Sequence, residues 1–211
     1  MSLPKSSYHH GDLRCALLDA ALDIIAEHGP QQLTIREVAR KVGVSHTAPY
    51  RHFANKDDLI LAVVKQGFEL MQQTMQDKKA AAAPDPLSQF AASGTAYVDF
   101  ALDNPAYYRV MYNGDLLSST GQHTLQHTTS ETFAEVVNDI RTCQELHIVR
   151  PGDPTLQAMS ILSSIHGFVT MVIDNRVNAL LGDKYPLQEV RDAMLGSIFE
   201  GIGAIESHSQ D

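Results

Sequence analysis

Apolar residues recur every three or four positions along almost the whole chain, and the alternation that marks strands is nearly absent. The pattern predicts an all-α protein. Leu13, Leu17, Ala20, Ala21 and Ile24 make the apolar face of a first helix. Asp19, Asp23 and Glu27 line another side of it, and Gly29-Pro30 ends it. Thr34 and Glu37 have the spacing of a capping box, in which each side chain satisfies a free amide of the other. Ile35, Val38, Ala39 and Val42 follow at helical spacing, and Gly43 suits the left-handed position that closes a helix. Ser45 is placed to cap a third, short helix. Asn55 caps a fourth, with Asp57 and Asp58 in its first turn. That helix is predicted from about Lys56 to Gln76, with Leu59, Ile60, Val63, Val64, Phe68 and Met71 inward. Residues 78–86, KKAAAAPDP, read as a fraying helix end and a connection. Asp85-Pro86, Asn104-Pro105 and Asp153-Pro154 each place a cap before a proline at the first helical position, where its missing amide costs nothing. Two long helices, about 154–181 and 186–206, close the chain.

Charge changes this picture at one place. The net charge is −9, which by itself opposes nucleic acid. Yet residues 1–58 sum to zero, so the whole excess lies in 59–211. Within 34–56, Arg36, Arg40, Lys41, Arg51 and Lys56 face a single acid, Glu37. No apolar run reaches the ~18 residues needed to span a bilayer, and the N-terminus lacks the apolar core of a secretory signal. Cys15 and Cys143 form no CxxC pair and read as reduced and structural. The expectation is a cytoplasmic protein with no membrane partner.

The basic stretch contains VGVSHTAPYRHF, Val42 to Phe53. Two short helices joined by a tight glycine turn make a helix-turn-helix, here 34–53. Its second helix enters the major groove with its first residues toward base edges. His46, Thr47, Tyr50 and Arg51 are outward on that helix, while Val44, Ala48 and Phe53 can face its neighbours. Imidazole, hydroxyl and guanidinium groups bond phosphates and bases, whereas carboxylates would repel the backbone. Pro49 is expected to be tolerated within the first full turn. Lys56 opposes the macrodipole of its own helix, a sign that a bound phosphate reverses. Thr34 is placed for the same task. The alternative is a connecting helix with a solvated polar face.

The stretches YHHGDLR and LTIREVARKVGVSHTAPYRHFANKDDL resemble the tetracycline-repressor (TetR) family of bacterial transcription regulators over roughly residues 8–75. The resemblance implies that Thr34, Arg36, Ser45, His46, Thr47, Tyr50, His52 and Lys56 line DNA, with Phe53 in the core. NPAYYRVMY and SSIHGFVTMV are similar to two signatures of the WHG-type subclass. The implied organisation is a helix-turn-helix domain over 1–58 (TetR-type region about 11–71), joined by the long helix to an effector-binding and dimerisation domain over 59–211.

In that second part, Tyr97, Phe100, Tyr108, Met111, Tyr112, Phe133 and His166 are candidates for an apolar pocket with a few polar handles. An ordinary helical core is the alternative. Leu187, Val190, Met194, Ile198 and Ile202 form a stripe at three- and four-residue steps, a candidate two-fold interface that suits a palindromic site. His123, His127 and Glu131 stand four apart, but all three cannot share a metal, because eight residues rise ~12 Å along a helix. A solvated face is the reading adopted there, with no metal and no cofactor. No nucleophile–base pair or phosphate loop argues for an enzyme. The expected function is that of a homodimeric, nucleoid-associated repressor on a palindromic duplex operator, released by an unidentified small apolar or weakly polar effector. The alternative is a DNA-binding regulator without an effector, controlled by a partner protein or by abundance.

Overall fold

Helix α1 (His10–His28) buries Leu17, Ala20, Ala21 and Ile24 as the periodicity requires, and Asp19, Asp23 and Glu27 face outward. The computed structural model describes residues 10–113 and 119–203, with side chains except at 10–12, 119–129 and 131. A short 3-10 turn at Pro30–Gln32 leads to α2 (Ile35–Val42). Thr34 Oγ1 accepts the Glu37 amide at 3.1 Å. The reciprocal half of the expected box is replaced, because the Glu37 carboxylate turns to Arg40 at 2.7 Å. Gly43 is left-handed (φ 79°, ψ 28°), and its amide donates to the Ala39 and Arg40 carbonyls while Val44 donates to Ala39. These bonds satisfy carbonyls that the end of α2 would otherwise leave unpaired.

The remaining helices are α3 (Lys56–Ala81), α4 (Pro86–Asp103), α5 (Pro105–Met111), α6 (Ser119–Glu145), α7 (Pro154–Ile173), α8 (Arg176–Leu181) and α9 (Leu187–Ile202). Among the described residues the fold is all-α, apart from an isolated bridge between Val149 and Gly203. The Asx-Pro caps divide. Asp85 accepts the Ser88 amide at 2.9 Å, and the Ser88 hydroxyl and amide hold its carboxyl below the usual range. Asp153 accepts the Thr155 and Leu156 amides. Asn104 precedes its proline without a side-chain cap bond.

Two helices differ from expectation. The fourth helix expected from the sequence, here α3, runs five residues past Gln76, to Ala81, because its end is held from outside: Lys78 Nζ lies 2.8 Å from Asp99, and Lys79 Nζ lies 2.6 Å from Asp139. The single helix expected over 154–181 breaks after Ile173. There Asn175 turns left-handed (φ 56°), a conformation asparagine tolerates better than most residues, and α8 starts afresh.

The chain forms two compact units. The first holds residues up to Glu69 together with Asn104–Thr128. In it α5 packs on α1 and approaches α3 at Gly67. A Cβ there would lie 2.6 Å from Met111 Sδ and 3.0 Å from Tyr107 Cδ1. Gly67→Ala should therefore cost about 1–2 kcal/mol, the strain of overpacking less the helix preference of alanine. In a double-mutant cycle with Met111→Ala the two losses should add to less than their sum, and strict additivity would refute the steric account. The second unit holds Leu70–Asp103 and Thr129–Asp211. Its α4 packs on α7, and α7 on α8 and α9, with Phe90 meeting Phe199 edge-on at 5.7 Å. The Cys143 thiol is buried there, and burial together with Asp139 and Asp85 pushes its pKa up, which keeps it protonated and inert. Cys15 is also free but exposed, which differs from a structural role.

Candidate nucleic-acid interface

The helix expected from Ser45 is much shorter than its spacing suggests. It is one 3-10 turn, Ala48–Arg51, preceded by a separate turn at His46 and Thr47. Ser45 does not cap it. Its hydroxyl lies 3.2 Å from that of Thr47, and its carbonyl accepts the Ala48 amide at 3.0 Å. The cause is Pro49, which has no amide to return to Ser45. Pro49 is buried, and the turn packs on α2.

The side chains fall where the sequence places them. His46, Thr47, Tyr50 (55% exposed) and Arg51 face solvent, as do Ser45, Thr34 and Arg36; His52 and Lys56 are half-buried. Phe53 is buried under the Arg14 guanidinium, whose Cζ stands 5.4 Å from the ring centroid. Arg14 is a support that helical periodicity does not mark, because stacking across helices has no sequence period. At the start of α3 the Asn55 side chain accepts the Asp58 amide at 2.9 Å, and Asp58 accepts the Ala54 amide at 3.0 Å. This reciprocal cap fixes the turn that carries Lys56.

The five cations of the basic stretch are not equivalent. Arg40 is tied to Glu37, and Lys41 Nζ lies 2.9 Å from Glu27 and 3.3 Å from Asp23. The bond to Lys41 holds the Glu27 carboxyl below its ordinary range, and Glu27 raises Lys41 in turn. Arg36, Arg51 and Lys56 make no ion pair among the described residues. The exposed polar turn and three uncommitted cations can bond an anionic backbone and the bases beside it.

The seven expected pocket residues divide between the units. Tyr108, Met111 and Tyr112 are in the first, with the Tyr112 ring 4.8 Å from Tyr108 and 6.3 Å from Phe68. Tyr97, Phe100, Phe133 and His166 are in the second. Tyr97, Phe100, Tyr108 and Met111 are buried, and the other three half-buried. Burial pushes the His166 imidazole below its ordinary pKa, so it is neutral near pH 7. Two clefts of about 550 and 440 Å³ lie elsewhere, against α7 and the end of α9; Arg150, Ser160 and Ile202 line both. Leu187 is exposed, Val190, Met194 and Ile198 half-buried and Ile202 buried. Helix α7 has a mean hydropathy of 1.5 over 18 residues, although serines, Gly167 and Thr170 interrupt it, and only 22% of that window is buried. By length and composition it could cross a membrane. The His123, His127 and Glu131 side chains lie outside the described residues.

A capped helix, a left-handed glycine turn and a short, exposed polar turn, set in an all-helical chain, define a helix-turn-helix DNA-binding regulator. Residues 17–63 match the model of bacterial regulatory proteins of the tetR family, and residues 90–195 match that of the tetracyclin repressor-like C-terminal domain. The chain belongs to the tetR family. A solved protein of unknown function from Rhodococcus sp. RHA1 is 27% identical, covers 94% of this chain and 100% of its own, and has a TM-score of 0.80. A putative fatty acid metabolism regulator of Clostridium perfringens is 19% identical over 89% of this chain and 98% of its own, with a TM-score of 0.71. AibR, solved with isovaleryl coenzyme A and operator DNA, is 17% identical over 88% and 97%, with a TM-score of 0.69. Regulators of this family are cytoplasmic, DNA-binding transcriptional repressors, some responsive to ligands, and they form homodimers.

Proposed function

We propose that this chain is a homodimeric repressor that reads a palindromic operator through His46, Thr47, Tyr50 and Arg51, and grips phosphates through Thr34, Arg36, Ser45, His52 and Lys56. The exposure of His46, Thr47, Tyr50 and Arg51, with three uncommitted cations in the same stretch, carries the reading. The dimer forms through α9 and the largely uncovered α7, because an apolar helix with 22% of its window buried calls for a cover. An apolar or weakly polar effector releases the operator. Support comes from the isovaleryl coenzyme A held by AibR and from the fatty acid regulator named above. Within the second unit, Tyr97, Phe100, Phe133 and His166 are the residues assigned to it, and Tyr108, Met111 and Tyr112 remain candidates in the first. In the cell the protein sits on the nucleoid, and it carries out no reaction.

Selection from a random duplex pool, followed by footprinting, tests the DNA reading, and footprints without two-fold symmetry would refute it. Lys56→Ala should weaken binding to all sequences about equally. His46→Ala or Thr47→Ala should instead shift base preference by ~1–3 kcal/mol. Titration of isovaleryl coenzyme A and other acyl thioesters, with and without operator, tests the effector reading. A coupling of ~1–3 kcal/mol is expected, equal in both directions. Equal ligand affinity in both arms would favour a regulator controlled by a partner protein or by abundance.

A further inference from the structure

Pro49 stands at the centre of the recognition segment and is itself buried. In an α-helix starting at Ser45, the amide of residue 49 would donate to the Ser45 carbonyl and begin the i to i−4 ladder. Proline has no such amide. The Ser45 carbonyl takes Ala48 instead, three residues on, at 3.0 Å. The Pro49 carbonyl accepts His52, three residues on, at 2.9 Å and Phe53, four residues on, at 3.0 Å. Thr47 sits at the start of the turn without a side-chain cap, its hydroxyl turned to Ser45. His46 and Thr47 thus lie outside the helical turn that carries Tyr50 and Arg51. A 3-10 turn advances about 120° and 2.0 Å per residue, against about 100° and 1.5 Å in an α-helix. Over Ala48–Arg51 the difference adds up to roughly 60° of rotation and 1.5 Å of rise, enough to carry a side chain from one base edge to another.

We propose that Pro49 determines specificity without touching DNA: by withholding one amide it divides the reading surface into two separately aimed pairs, His46 with Thr47 and Tyr50 with Arg51. It is a positioning residue, and this inference rests on the DNA reading given above. Pro49→Ala and Pro49→Leu both restore the amide, the first leaving a small void and the second refilling it. Each should lengthen the helix and move base preference tenfold or more at one or more base pairs of the half-site, while affinity for random duplex changes less than about threefold. A third measurement needs no change at Pro49. In the otherwise unaltered protein, His46→Ala and Arg51→Ala should relax preference at base pairs that do not overlap. Thermal melting reports whether the proline variants are folded, and the His46 and Arg51 comparison decides the matter if they are not. If the unaltered protein enriches no sequence, the DNA reading fails. If it enriches a palindrome and the folded proline variants enrich the same one, or if His46 and Arg51 govern the same base pair, only the role of Pro49 is overturned.

Discussion

Raising the salt from about 50 to about 200 mM should weaken operator binding by the dimer on the order of 10³-fold. Each cation that neutralises a phosphate releases a counterion, so affinity falls as a power of the salt concentration, with a slope near −0.9 per contact. Arg36, Arg51 and Lys56 are uncommitted; counting Arg51 as placing its charge among the phosphates as well as at a base edge gives six contacts in a dimer. Arg40 and Lys41 are not counted, since Glu37, Glu27 and Asp23 already hold them. Gln substitutions make the division visible. At Arg36, Arg51 or Lys56 the slope should fall by about one per site and two per dimer, while at Arg40 or Lys41 it should stay. Fluorescence anisotropy on a fixed operator across a salt series measures it. A slope that drops at Lys41 and holds at Arg51 would reverse the assignment.

Phe100→Ala should cost about 3–5 kcal/mol of folding stability, the usual range for emptying a buried aromatic site. Phe100 is 1% exposed, and its neighbours on α4, Ala96, Tyr97, Val98 and Ala101, are buried as well. Little can collapse into the space, so loss of transfer energy and cavity formation add. Phe100→Leu keeps most of the volume and should cost less than about 1.5 kcal/mol. Urea midpoints at a fixed protomer concentration give both values, because dimer stability depends on concentration. A midpoint unmoved by Phe100→Ala would mean the ring faces open space. A large fall in stability, with effector affinity kept by Phe100→Leu, would mark Phe100 as wall rather than contact.

Caps and faces were legible in the sequence because they are local. Thr34, Asn55, Asp85 and Asp153 each find an amide two or three residues away, and α1 and α3 bury the predicted stripes except for half-buried Leu13. The exceptions have distant or competing causes. The end of α3 depends on Asp99 and Asp139, which lie beyond any window that reads Lys78 and Lys79. Asp99 is shared, since Arg191 of α9 also reaches it at 3.0 Å. At Pro49 two local rules compete: helical spacing and the Ser45 cap favour a helix, while the missing amide delays it, and the missing amide wins. In the recognition segment, chemistry proved more legible than conformation. The outward residue types survived the change from helix to turn, because only those types are stable in water at a surface that the core does not reach. The pocket candidates were the least legible, since an aromatic residue at helical spacing looks the same in a wall as in a core.

The place of α5 bears on how the protein is made. The first unit takes one of its packing partners for α1 from residues 105–111, after the whole of α4 has intervened. A nascent chain paused on the ribosome at about residue 75 holds the entire helix-turn-helix, yet the surface that α5 will cover is still open. Synthesis proceeds at ~5–20 residues per second, so that surface stays open for a few seconds before its cover emerges. Closing the intervening loop then costs only slowly growing entropy. The unit that reads DNA therefore matures after part of the unit that regulates it has been synthesised. A fragment cut after the long helix should be prone to association, and in each new molecule the ability to hold an operator should appear late in translation.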